Sequence, residues 1–384
     1  MDNLFFTDEH IMIRDMVREF ADTEITPVAR DLDEQGEFPT ALVNKMGELG
    51  LMGILIPEEY GGSGLDMVAF ATAIIELARA DASVAITMAA HTSLGSLPIL
   101  MFGSEEQKNT YLPKLATGEM LGAFGLTEPD AGSDAGATKT KAVRDGDEYV
   151  VNGGKIFITN AGKAGVLSFT SQVIENGKNL GIAAFSISTN TPGLEIGPKE
   201  KKMGWRASDT RQLFFKDMRI QATSMLGTPA NGFKTFLKTL TSGRVSIGAL
   251  SIGTALGAYE RALAYSTERI AFGKPINNFQ SIGFKLADMA TKIEASKLLV
   301  FHAAWMKDQG LDITKEAAMA KLFASETAME VTTEAIQIHG GYGYVKEYDV
   351  ERFFRDAKIL EIGEGTSEIQ RLIISREIIK EIQI

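Results

Sequence analysis

The chain has 384 residues, 45 % apolar and 23 % charged, with a formal net charge of −11. At about 150 residues per domain that is two or three domains' worth of core, and the balance excludes a disordered or collagen-like chain. An acidic chain with no basic stripe argues against nucleic acid as a partner, and zero cysteines exclude disulfides, thiolate catalysis, Fe–S clusters and Cys-ligated zinc.

No apolar run approaches the ~18 residues of a bilayer span, so no membrane span is expected. The start, MDNLFFTDEH, has no basic n-region; neither signal nor transit peptide is expected, and the location is read as cytoplasmic. His10, His91, His302 and His339 lie far apart in sequence, which argues against a His-based metal site. Organic redox chemistry would then rest on a bound cofactor.

Residues 1–121 read as helical. Thr7 caps a periodic stretch carrying Ile13, Val17 and Phe20, a second helix covers 40–51, a third 67–80 and a fourth 82–100. The period changes after Gly122. Apolar runs at 148–151 and 155–159 flank Asn152-Gly153-Gly154, which predicts a hairpin there. Further β-rich runs at 166–170, 182–187 and 212–215 make 122–228 a small antiparallel β domain, either a sandwich or a barrel. From 229 to 384 long helices return. Leu286, Met289, Ile293 and Val300 repeat at helical spacing, as do Leu322, Met329 and Ile336, which predicts an antiparallel bundle. The fold class is α+β and multidomain.

Three segments are rich in glycine and polar residues. FGLTEPDAGSDAG (124–136) is a β-domain loop whose N–H groups and hydroxyls could bond a flat heterocycle or an anion. In QIHGGYGY (337–344), Gly340-Gly341 ends a helix and lets a ligand approach the backbone. In IGEGTSEIQ (362–370), Ser367 and Gln370 suggest a capping box, and Glu364 stands unobstructed between two glycines, as a general base approaching carbon requires.

Together with KIFITNAG, RIAFGKPINNFQSIGFKLADMA and RDAKILEIGEGTSEIQ, these stretches resemble the acyl-CoA dehydrogenase family in its own order, over essentially the whole chain. The likeness is strongest to the short-chain and butyryl-CoA members. It implies an N-terminal helical domain, a middle β domain, a C-terminal four-helix bundle, a homotetramer (a dimer of dimers) and bound FAD. By position, Phe124, Leu126, Thr127, Gly132 and Ser133 would line the flavin, with Ser133 also touching the CoA arm. Phe157, Ile158 and Thr159 would complete the flavin wall; many members carry Trp at the first of these. Arg269, Phe272 and Gln280 would hold the pyrophosphate and adenine end across a subunit boundary, together with Gln337, Ile338, His339, Gly340 and Gly341. Thr366 and Glu368 would meet FAD at the start of the last helix. Substrate would touch Thr241, Gly243, Arg244, Gly363 and Gly365; Thr241 replaces an acid often found there, and Gly363 a Tyr frequent in short-chain members.

The resemblance implies that Glu364 takes the α proton of an acyl-CoA thioester while the β hydrogen leaves as hydride to flavin N5. The product would be a trans-2-enoyl-CoA, and electron-transferring flavoprotein would accept the electrons. Some relatives place the base at the position of Gly243, which here has no side chain. A space beside Gly363 would suit branched or alicyclic acyl groups as well as butyryl. The competing readings are an acyl-CoA oxidase using O2, typically a longer chain, and a non-catalytic scaffold on the same fold.

Overall fold

The computed structural model describes residues 2–228 and 232–382. The expected start of the third domain, at 229, lies outside them. The N-terminal part is helical: α1 (Asp2–Phe5), α2 (Asp8–Phe20), α3 (Ala29–Gln35), α4 (Thr40–Glu48), α5 (Met67–Ala80), α6 (Ala82–Ala90), α7 (Leu97–Phe102) and α8 (Glu105–Ala116). Thr7 caps α2 as its sequence predicts, accepting from His10 N, and the His10 ring accepts in turn from Thr7 N at 2.9 Å. The predicted fourth helix is α6 and α7 joined through a π-helical turn, His91–Ser96. This stretch corrects the expectation about apolar runs, because Ala82–Phe102 is long and apolar enough by composition to cross a bilayer. It is instead a core element, with 83 % of its most apolar 18-residue window buried inside the protein.

The middle part is one sheet in the order β6-β7-β3-β2-β4-β5-β8, with β1 also paired to β4. Its strands are β1 (Leu121–Gly125), β2 (Lys141–Asp145), β3 (Glu148–Thr159), β4 (Ala164–Glu175), β5 (Lys178–Ser188), β6 (Leu194–Lys199), β7 (Thr210–Gln221) and β8 (Met225–Leu226). Most pairings are antiparallel, but β1 and β2 both run parallel to β4. They share one edge of β4, because the chain leaves the sheet after β1 on a long loop and re-enters in the same direction.

The hairpin predicted at Asn152-Gly153-Gly154 is absent: β3 runs straight through, with a bulge between Val151 and Gly153. Gly153 is there because φ is +143° and a Cβ would meet the Thr140 Cα at 2.7 Å. The turn between β2 and β3 instead falls at Gly146-Asp147, with Gly146 at φ +61°.

The C-terminal part contains α9 (Gly232–Glu268), a short ribbon of β9 (Ile270–Ala271) and β10 (Lys274–Pro275), α10 (Gln280–Asp308), α11 (Thr314–His339), α12 (Val350–Ala357) and α13 (Ser367–Ile382). On α10 the predicted stripe of Leu286, Met289, Ile293 and Val300 is buried. On α11 it is not. Leu322, Met329 and Ile336 are only half-buried, while Ala317, Ala320, Ala324, Ala328, Val331 and Ala335 form the buried face. Small side chains there let the long helices approach closely.

Helical parts at both ends of the chain share one continuous core, in which α5 packs on α9. The sheet has its own, around Tyr149, Phe169, Phe185 and Phe215. His91 joins the two. Its Nδ1 accepts from Gly122 N at 3.0 Å, so the ring proton sits on Nε2 and donates to the carbonyls of Met52 and Leu115 at 3.2 and 3.1 Å. Burial lowers its pKa to about 4, so the ring is neutral. His91→Leu leaves these buried groups unpartnered, at about 1–3 kcal/mol for each one stranded. The variant should unfold at a clearly lower urea concentration; an unchanged midpoint would show that His91 is not a keystone.

Candidate active site

Between α12 and α13 the chain makes a tight turn. Gly363 N donates to Ile359 O at 2.8 Å, then Glu364 adopts φ +52° and Gly365 φ +95°. A non-glycine residue in this left-handed region is strained, by about 1–3 kcal/mol, and must be held. Two side chains hold it. Gln370 Nε2 donates to the carbonyls of Gly365 and Glu364 at 2.7 and 3.3 Å, and Lys321 Nζ, reaching from α11, donates to Gly365 O at 2.9 Å. The predicted capping box of Ser367 and Gln370 is therefore corrected: Thr366 precedes α13 and its Oγ1 accepts from Ile369 N, while Gln370 grips the turn.

The Glu364 carboxylate is not unobstructed, as its flanking glycines suggest, but pressed against α9. A Cβ added at Gly243 would overlap its Oε2 and lie 2.9 Å from its Cδ. Among the described residues, Oε2 is buried without a hydrogen-bond partner, as are Arg244 Nε and Ser242 Oγ on the adjoining helix. Burial pushes the Glu364 carboxyl up to about 7, against the pull of Lys321 and Arg244. Desolvation also brings Lys321 down to about 8 and lowers Arg244. Thr241, one turn earlier, donates its hydroxyl to Leu237 O at 3.1 Å along its own helix. Gly363 has room: among the described residues other than its chain neighbours, the only heavy atom within 4 Å of an added Cβ is Ile359 O, at 3.4 Å, and φ is not in the left-handed region.

A second set lies at the sheet. The loop from β1 to β2 carries half-buried Leu126 and Thr127 and exposed Gly132 and Ser133, with Phe124 buried at its root. It is pinned by a buried pair. Lys155 Nζ donates to Glu128 Oε1 at 2.7 Å, Leu126 O at 3.1 Å and Thr170 Oγ1 at 3.1 Å, and Glu128 also accepts from Lys139 N and Thr140 N. Burial alone would raise the Glu128 carboxyl; these donors hold it below its usual range. Beside the loop, β3 bulges between Lys155 and Ile158. The bulge puts Phe157 at φ +61° with its ring 62 % exposed, and Ile156 N donates to Thr127 O at 2.9 Å, so loop and bulge form one surface. Ile158 points the other way, into the sheet core, so only its main chain can face a ligand; Thr159 is half-buried.

The third set surrounds a pocket of about 500 Å³ lined by Arg269, Ile338, His339, Gly340, Gly341 and neighbours. Arg269 lies over the Tyr342 ring, and His339, lowered by burial, stacks on Tyr265 at 4.3 Å. Phe272, at φ +50°, is 95 % exposed. Gln280 at the start of α10 and Gln337 near the end of α11 are exposed and outside this lining. The lining includes no residue of the first two sets. Thr366 and exposed Glu368 sit at the start of α13, where the Glu368 N–H and Thr366 hold the Glu368 carboxyl low.

These surfaces fit a long ligand with a flat ring and an anionic stem. Phe157 offers an exposed ring, Arg269 a cation, and a Cβ at Gly132, Gly340 or Gly341 would meet nothing within 4 Å. The sequence patterns did not single out Lys321, Gln370 as a clamp, Ser242, Lys155 or Glu128. A signal existed for Lys321, which falls within the buried alanine stripe of α11, and for Lys155, a charge inside an apolar strand.

Comparison with known proteins bears on this geometry. Residues 7–119 match the acyl-CoA dehydrogenase N-terminal domain, 123–218 its middle domain and 230–379 its C-terminal domain. The chain is 54 % identical over 380 residues to "Probable acyl-CoA dehydrogenase YngJ" of Bacillus subtilis (strain 168), covering 98 % of this chain and 100 % of that one. It superposes on butyryl-CoA dehydrogenase from Megasphaera elsdenii with a TM-score of 0.94 at 43 % identity, covering 97 % and 98 % of the two chains. An acyl-CoA dehydrogenase from Bacillus anthracis complexed with FAD gives 0.93 at 37 % identity, covering 98 % of this chain and 68 % of that one. Three domain matches in order, and relatives alike over nearly the full length, mean that this chain belongs to the acyl-CoA dehydrogenase family of FAD-dependent oxidoreductases.

Proposed function

We propose that the chain dehydrogenates a short-chain acyl-CoA at its α and β carbons, with Glu364 as the base. One observation carries this reading: a buried carboxylate oxygen without a partner, on a strained turn, facing a glycine that leaves it room. The Glu364 Oε2 accepts the α proton. The thioester carbonyl is held by the Glu364 N–H, which favours enolate-like charge as the proton leaves. FAD bound at this site would supply the acceptor for the β hydrogen, as hydride. Phe124, Leu126, Thr127, Gly132, Ser133, Phe157 and the main chain of Ile158 and Thr159 hold its ring, while Arg244 and Ser133 orient the CoA ester. An oxidase or an idle scaffold on this fold has no specific observation in its favour.

Because the base works only when ionised, kcat/KM for butyryl-CoA should rise about tenfold per pH unit below about 7 and level off above it. Glu364→Gln should keep FAD and bind CoA esters but slow flavin reduction by at least about 10²–10⁴ in stopped flow. A loss below tenfold would remove Glu364 as base.

Gly363 is not required by its backbone, so we read it as space for the acyl group. Gly363→Tyr should lower kcat/KM for branched or alicyclic acyl-CoAs about tenfold to a hundredfold and spare butyryl-CoA, since overpacking costs roughly 1–3 kcal/mol. Equal losses for thin and bulky substrates would leave the pocket reading without support.

The assembly we propose is a homotetramer with domains 1–121, 122–228 and 229–384, in which Arg269, Phe272, Gln280 and residues 337–341 hold the far end of FAD across a subunit boundary. An electron-transferring flavoprotein would serve as the electron acceptor. Support for the assembly comes from the bundle surface, where Phe272, Phe284 and Tyr344 are 95 %, 60 % and 86 % exposed in the single chain. Arg269→Ala should shed FAD and shift the mass distribution towards smaller species. Full occupancy at unchanged mass would rule out the shared site.

A further inference from the structure

Lys321 has no exposed surface, on the buried face of α11, which is rich in alanine and carries no other lysine or acid. A bare lysine there is costly, because burial disfavours the ammonium and strands its donors. An ammonium has three N–H donors, and among the described residues Lys321 donates to Gly365 O, the carbonyl directly after Glu364. That carbonyl already accepts from Gln370, so a neutral residue would satisfy the backbone as well. What Gln370 does not supply is charge.

We infer that Lys321 is a positioning residue for the α-proton transfer, its ammonium both fixing the turn and supplying the fixed positive charge that keeps the Glu364 carboxylate ionised in a water-poor site. The inference rests on the reading of Glu364 as base. Charged groups reach this point from every side: Arg244 from α9, Glu361 from the turn after α12, Glu364 itself and Glu368 from α13. Arg244 is the second cation acting on Glu364. In the reading above Arg244 orients the CoA ester, so a thioester ligand competes for its charge, whereas Lys321 lies beneath the turn, tied to its backbone. Glu361 and Glu368 act on Lys321 in the direction that keeps it protonated, against burial and Arg244.

Charge and geometry separate in three variants. In FAD-loaded protein, Lys321→Met should move the acid limb of the butyryl-CoA kcat/KM profile upward by about one pH unit or more, as expected when a cation near a carboxylate is lost. For a limb centred near 7, a one-unit shift is roughly a fivefold fall in rate at pH 7, approaching tenfold at lower pH. Lys321→Arg, which keeps the charge, should leave the limb near that of the wild type. Gln370→Leu, which loosens the same carbonyl without changing charge, should lower kcat and leave the limb in place. If Lys321→Met fails to fold, judged by FAD content and thermal midpoint, Lys321→Gln takes its place with the same expected shift. An unmoved limb in the neutral variant, or an equal shift in Lys321→Arg, overturns the inference. Loss of flavin reduction in Glu364→Gln beside an unmoved limb places the failure on Lys321; retained reduction in Glu364→Gln places it on the base.

Discussion

A carboxylate occupying the space of a missing Cβ ties the last turn of the chain to the first helix of its bundle. Glu364 reaches α9 only because residue 243 is glycine, and no side chain at 243 could coexist with it in this geometry. The strained φ of Glu364 follows from the same demand, since the turn must aim the carboxylate inward while α13 departs. Around this contact the helices come close because α11 presents alanines. One buried lysine and one glutamine then fix the carbonyls that a left-handed turn leaves exposed. Removing water from the carboxylate raises its proton affinity, while two cations limit the rise, so the group is poised near neutrality.

The sheet is built to a comparable standard. Breaking a buried ion pair leaves an uncompensated charge and is expensive, so Lys155–Glu128 pins a loop of small polar residues to β3 and β4. Two parallel strands on one edge of β4 give that loop its exit and return, and the β3 bulge turns an aromatic ring outward beside it. The proposed site thus joins two separately packed units, a helical core carrying Glu364 and a sheet carrying the exposed Phe157 surface. His91 is one of the polar posts between them.

Long periodic helices and the change of period after Gly122 were legible in the sequence because apolar spacing reports directly on burial. Met67–Ala80 is a helix over the predicted range. The Gly153 hairpin failed because a glycine pair marks a bulge and a close strand crossing as readily as a turn. The α11 stripe failed because large side chains read as core, whereas the tightest contacts use the smallest ones. Glu364 was readable from its glycine-flanked turn, but neither its burial nor its contact with Gly243, 121 positions earlier in sequence, could be inferred from local pattern. Lys321 and Lys155 were missed for a related reason. A buried charge looks like a surface residue until its partners, far away in the chain, are known.

The claim on which the rest stands is that Glu364 itself moves the α proton. Incubating the FAD-loaded protein with butyryl-CoA in D2O without an electron acceptor, and following the α position by NMR, tests it directly. Wild-type protein should wash deuterium into the α carbon, and Glu364→Gln, binding the same ester, should not. Exchange at comparable rates in both proteins would contradict the account and place the base elsewhere.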